Sequence, residues 1–197
     1  MQLSSYRLLI LLKIRILIKG EINTMEQQEL CQYIINKDTT AIISDFDAAG
    51  NEHSIVIEGE KQFRILKSPT RIVRDSFAHR GYDLKGAIAG ARAILKKKKN
   101  VPIAYSLIPE VVLILCKKND GTGVVWLVRS QIEEIEMFDR RQTLVRFKTG
   151  FSLFVNMSHS LLQMKIILGS HLHRIMLERS GLGSGDPYYF RHNWYQK

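Results

Sequence analysis

RIVRDSFAHRGYDLKGAIAGARAILKKKKNVPIAYSLIP, residues 71–109, encodes two helices separated by a glycine stop. The first is predicted over Arg71–Ala78 and ends around Gly81. Asp83 then supplies an N-cap for a second helix. Leu84, Ala87, Ile88, Ala91, Ile94 and Leu95 follow at the i, i+3, i+4 and i+7 spacing of one buried stripe. Lys85 and Arg92, a heptad apart, fall off that stripe. Gly86 and Gly90, with Ala89 and Ala93, lower helicity but leave room for close approach of another backbone or a ligand. Lys96–Lys99 are expected to finish the helix, where its dipole favours cations.

Charge singles out the same region. Between Lys61 and Asn100 twelve Lys and Arg face two acids, Asp75 and Asp83, so this window carries +10. That equals the net charge of all 197 residues; the other 157 hold seventeen side chains of each sign. Charge so localised builds a positive field over one part of the surface, matched by nucleic acid first and an anionic membrane second. A lysine-rich final turn is also what a solvated helix end looks like, but four consecutive lysines exceed what capping requires. Arg71, Arg74, Arg80, Lys85, Arg92, Lys96, Lys97, Lys98 and Lys99 are therefore the candidate DNA-binding residues.

Ser76, Gly81, Gly86 and the pair Pro102-Ile103 carry a resemblance to a known family. Their intervals are similar to those of the ComK family of competence transcription factors, which shows Ser-Cys-x-Phe-(Phe/Tyr)-Gly-x-x-Tyr-x-Gly-(Arg/Lys)-(Lys) and then Pro-Ile. Further on, Pro109 precedes an apolar run, Trp126 follows a short polar loop, and Ser158-His159-Ser160 with Gln163 resembles the family's Ser-x-x-Ser opening of a long helix. The likeness covers about Ile65 to Arg174. Phe77 stands where the family has Cys, Leu84 where it has Tyr, and Ala87-Ile88 where it has the basic pair. The resemblance implies an activator that binds AT-rich paired boxes as a homo-oligomer, largely through the minor groove. It also implies that the C-terminal part is a handle for a proteolytic adaptor.

Length and composition fit one soluble domain, at 22.7 kDa with 45% hydrophobic and 24% charged residues. Cys31 and Cys116 form no CxxC pair, and reduced thiols in a cytoplasm are the expectation. Residues 8–18 are apolar but broken by Lys13 and Arg15, too short and too charged for a spanning helix. A basic amphipathic surface helix is one reading of them. Lys19-Gly20-Glu21 ahead of Met25 is also what a translated ribosome-binding site looks like. Residues 1–24 are accordingly read as an N-terminal extension, with Met1 and Met25 both open as the start, 25–178 as the DNA-binding domain and 179–197 as a flexible aromatic, basic tail that includes Gly181-Leu-Gly-Ser-Gly.

Strands are expected at Thr40–Ser44, His53–Ile57 and Gln62–Leu66, with the Ala-Ala-Gly-Asn turn between the first two. Asp45 and Asp47 read as hairpin-end acids rather than a metal pair. Val111–Cys116, Val124–Val128, Thr143–Phe147 and Phe151–Val155 continue the strands, Trp126 being a core residue. Gln131–Met137 alternates acids with Ile132 and Ile135 and reads as a solvated face. Ser160 and Gln163 have capping-box spacing for a helix from Leu161 to about Leu177, with Leu161, Met164, Leu168, Leu172 and Ile175 buried. His171 and His173, two apart on that helix, cannot share an ion.

The expected fold is thus α+β, a single domain of small antiparallel sheets with a basic central helix and a long C-terminal helix. No nucleophile–base pair, P-loop or metal cluster is visible in the sequence, so no catalytic, cofactor or metal site is predicted. A DNA-binding transcriptional activator is the first reading. A nucleic-acid binder without sequence preference is the alternative.

Overall fold

The computed structural model describes residues 28–97 and 99–181. The chain order is β1 (Gln28–Leu30), β2 (Thr39–Phe46), β3 (Glu52–Glu58), β4 (Lys61–Ile65), α1 (Pro69–His79), α2 (Leu84–Leu95), β5 (Ile103–Ser106) and β6 (Val111–Lys117). It continues through β7 (Val124–Val128), a 3-10 turn at Arg129–Gln131, β8 (Ile132–Met137), β9 (Thr143–Phe147), β10 (Ser152–Val155) and α3 (His159–Arg179). A seven-stranded sheet runs β1-β4-β3-β2-β7-β6-β5, and a three-stranded sheet runs β10-β9-β8. All pairs are antiparallel except β1 with β4. The α+β class with a long C-terminal helix is as the sequence predicts.

Alternation along the central strands explains why they are apolar throughout. On β7, Val124, Trp126 and Val128 face one core, and Val125 and Leu127 face another. The first core lies between the large sheet and α1, α2 and the second half of α3, with Ile72, Phe77, Leu84, Leu95 and Leu172 closing on it. The second lies on the sheet's other face, against Val145, Phe147, Leu153, Val155 and Leu162. Strands covered on both faces carry no polar alternation. Trp126 is 5% exposed, as a core aromatic should be.

The helices α1 and α2 follow their local signals. Pro69 starts α1, where its missing N–H costs nothing. Gly81 takes φ +77° just after the helix. Asp83 caps α2, its side chain accepting from the Gly86 N–H at 3.0 Å. Three expectations need correction. The lysine run does not finish α2: the helix ends at Leu95, and Lys96 leaves it at φ 50° with its N–H on the Arg92 carbonyl. The capping box at Ser160 is not formed, because α3 starts earlier, after Ser158, and no side chain caps it. The buried stripe of α3 is Leu162, Lys165, Gly169 and Leu172: of the predicted set Leu172 is buried and Leu168 packs partly buried on the first core, whereas Leu161 and Met164 are half exposed. The helix is apolar on several sides, so contact with two cores, not hydrophobicity, sets its rotation. None of the described helices is long and apolar enough to cross a membrane. The expectations for residues 1–24 and for the tail beyond 181 lie outside the described residues.

Candidate nucleic-acid interface

α1 carries Arg71 and Arg74 on its exposed side. Arg71 is already engaged, its Nε 2.9 Å from Asp75 one turn on. Lys67 donates to the same carboxylate at 2.8 Å, and that bond holds Asp75 below the usual carboxylate range. Lys67, Arg71 and Arg74 line one hollow with Thr70 and Glu52. Lys67 was not singled out by sequence reasoning, although it lies in the charged window. Arg80 follows α1, and its guanidinium carbon lies 4.4 Å over the ring of Tyr105, a cation–π contact that holds the charged head while the residue remains exposed.

Lys85 and Arg92 project from one edge of α2, both exposed. At 100° per residue they lie within a narrow arc, two turns apart. Next to them the outward surface of α2 is Gly86, Ala89, Gly90 and Ala93, all exposed. Over that arc the helix presents nothing longer than a methyl group. Neither glycine is demanded from within: a Cβ on Gly90 meets nothing within 4 Å, and one on Gly86 only Asp83 Oδ2 at 4.0 Å. The loop after α2 adds Lys96, Lys97 and Lys99, all exposed. Lys98 lies outside the described residues.

These cations are unopposed. Among the described residues no acid lies at ion-pair distance from Arg74, Arg80, Lys85, Arg92, Lys96, Lys97 or Lys99. The acids of the small sheet sit elsewhere, on β8, where Glu134 and Glu136 pair with Arg146. β8 lines the sheet covering the opposite core from α1 and α2. The molecule therefore has a cationic helical layer on one side of its large sheet. A surface of this kind can bind phosphates.

The other polar groups singled out in the sequence have structural employment. Asp47 accepts from the Asn51 side chain, the Asn51 amide, His53 and the Ala49 amide, which together hold its carboxyl far below the usual range. Asp45 binds Arg64. His173 reaches the Leu107 carbonyl at 3.0 Å, whereas His171 is exposed beside Arg174. The Cys116 thiol is buried, and burial pushes its pKa up to about 12, so it is inert; Cys31 is exposed. Tyr82, between the two helices, is 65% exposed, an aromatic surface that charge counting passes over.

No curated protein and no solved structure matches the chain. The family model described as ComK protein matches residues 30–181, from β1 to the end of α3. That span takes in α1, α2 and the unopposed cations between them and β5, so the chain belongs to the ComK family of competence transcription regulators.

Proposed function

We propose that this chain activates transcription by binding AT-rich duplex DNA, largely in the minor groove, through the α2 edge and the lysines that follow it. The observation that carries this reading is the exposed, unneutralised set Lys85, Arg92, Lys96, Lys97 and Lys99 beside a helix face bare of side chains. A bare face lets the helix backbone come close to a sugar–phosphate chain while the flanking cations reach past it. Narrow A-tract minor grooves concentrate negative potential and favour inserted Lys and Arg. Arg74 and Arg80 extend the positive field, and Arg71 contributes less because Asp75 shares its charge. The same reading has the protein act in the cytoplasm as a homo-oligomer on paired boxes, by binding rather than catalysis.

The test is a salt titration of binding by the wild type and by a variant with Lys96, Lys97, Lys98 and Lys99 all changed to Ala. The variant is expected to bind every DNA more weakly, with a salt slope reduced by about 0.9 for each phosphate left without its lysine. An unchanged slope in a folded variant would return the lysines to a solvated loop. Excess competitor then separates specificity from charge. A complex retained on AT-rich paired boxes supports the activator, and one lost equally from all DNA means a binder without sequence preference.

A further inference from the structure

A groove of about 580 Å³ runs between α2 and the corner where β5 turns into β6. The buried ring of Tyr105 lies at its base, Gly86 and Gly90 form the α2 side, and Ile108 and Met176 line it from the corner and from α3. Tyr82 and Ile108 are 65% and 64% exposed at this groove. The two glycines keep it open: an added Cβ meets nothing within 4 Å at Gly90 and only Asp83 Oδ2 at 4.0 Å at Gly86, and alanine would suit a helix better. Its volume is that of a ligand cleft, and its lining is mainly apolar.

We propose that this groove receives the chain's own C-terminal aromatic segment, Tyr188–Phe190. Reach favours this occupant. Met176 lies in the last turn of α3, and Gly181 follows it by five residues, about 8 Å of helical rise. Leu182–Pro187 then separate Gly181 from Tyr188, and six residues extended span about 20 Å. That is enough to double back onto a wall formed by the same helix. Aromatic side chains bring the largest apolar area to such a cleft, and Tyr hydroxyls can bond Asp83 or Ser106, which also line it. Tethering makes the segment's effective concentration roughly millimolar, so a contact too weak to hold a free peptide is populated within the chain. Gly86 and Gly90 belong both to this groove and to the helix face proposed to meet DNA, so segment and DNA would compete for them, and the test is run without DNA so that each reading can fail by itself.

Methyl NMR of the full chain, without DNA, reads the groove through the Ile108 and Met176 methyl groups. Changing Tyr188, Tyr189 and Phe190 to Ala is expected to shift both signals by removing ring currents, while Ile135 in the small sheet stays put. Signals that do not move overturn the proposal. A perturbation that vanishes on dilution also overturns it, because the segment then comes from a second copy. Signals that move only when DNA is added make the groove part of the DNA surface and equally end the proposal. Gly90→Trp, where an added Cβ meets nothing within 4 Å and the side chain would enter the groove, tests it from the other side. Displacing the segment should speed chymotrypsin cleavage after Tyr188–Phe190 several-fold; equal rates in variant and wild type would rule the contact out.

Discussion

α2 and α3 both pack on β5 of the large sheet and touch each other, and both carry glycine and basic residues within the helix. They use them in opposite ways. Gly169 of α3 is where the helix presses on the sheet: an added Cβ would sit 3.0 Å from Arg129 Cδ and 3.2 Å from Val112 Cγ1. Gly86 and Gly90 of α2 face open space. Lys165 of α3 is buried, with its Nζ donating to the Leu115 carbonyl at 2.5 Å, whereas Lys85 and Arg92 of α2 are exposed and unopposed. In α3 the unusual residues are explained by contacts inside the chain. In α2 no contact among the described residues offers such an explanation, which leaves these positions to DNA or to the C-terminal segment.

The contrast breaks most visibly at Gly169. Gly169→Leu forces a branched side chain between Val112 and Arg129 and should cost about 1–3 kcal/mol, the usual penalty for overpacking. It also disturbs the Arg129 guanidinium, which bonds Glu110 and Ser170 and ties α3 to the loop before β6. Urea unfolding measures the loss. A variant as stable as the wild type would mean that α3 stands off the sheet, and the two helices would then no longer differ.

Lys165 gives a smaller, pH-dependent test. Burial holds its ammonium below the usual lysine range. At pH below the folded pKa the lysine is protonated in both states, and the cost of the buried charge is fully present. As pH rises through the folded pKa toward the unfolded value of about 10.4, only the unfolded chain keeps the proton. Stability should therefore rise with pH across that window. Lys165→Met removes the titration, so the stability difference between the two proteins should change from neutral to alkaline pH. A constant difference would place Lys165 in water, with the cations of α2.

How much of this could be read in advance differs along the chain for physical reasons. β2, β3, β6 and β7 are β-branched or apolar runs between turn residues, and each was legible. β5 has four residues and β1 three, and in β8 the glutamates Glu133, Glu134 and Glu136 mask the strand pattern. The rotation of α3 was not legible, because Leu161, Leu162, Met164, Ile166, Ile167 and Leu168 permit several stripes, and its buried set includes a lysine and a glycine that hydrophobicity cannot select. The charged window located the candidate interface on α1 and α2. Charge alone could not tell which cations are free. Arg71 with Asp75 is an i, i+4 pair visible in sequence, whereas the Lys67–Asp75 bond depends on how the short loop before α1 is turned against the helix.

The smallest expected change in stability is the most informative about function. Gly90→Ala should raise stability by up to about 1 kcal/mol, because alanine is the better helix former and its methyl group meets nothing. Gly86→Ala lies in the first turn, where its Cβ only reaches ordinary contact distance from Asp83 Oδ2, so its gain is smaller. Gly81→Ala runs the other way, since φ +77° is strained for any side chain. If α2 meets DNA with its bare face, the two helix variants melt at or above the wild-type temperature and yet bind promoter DNA more weakly, each methyl group holding the helix back from the sugar–phosphate surface. A loss of binding with unchanged or higher stability cannot come from unfolding, so thermal melting and a binding titration on the same preparations separate the two causes. Higher melting with normal binding would leave Gly86 and Gly90 as weak points in a helix. DNA contact would then rest on the lysine loop, and the bare face of α2 would have no part in it.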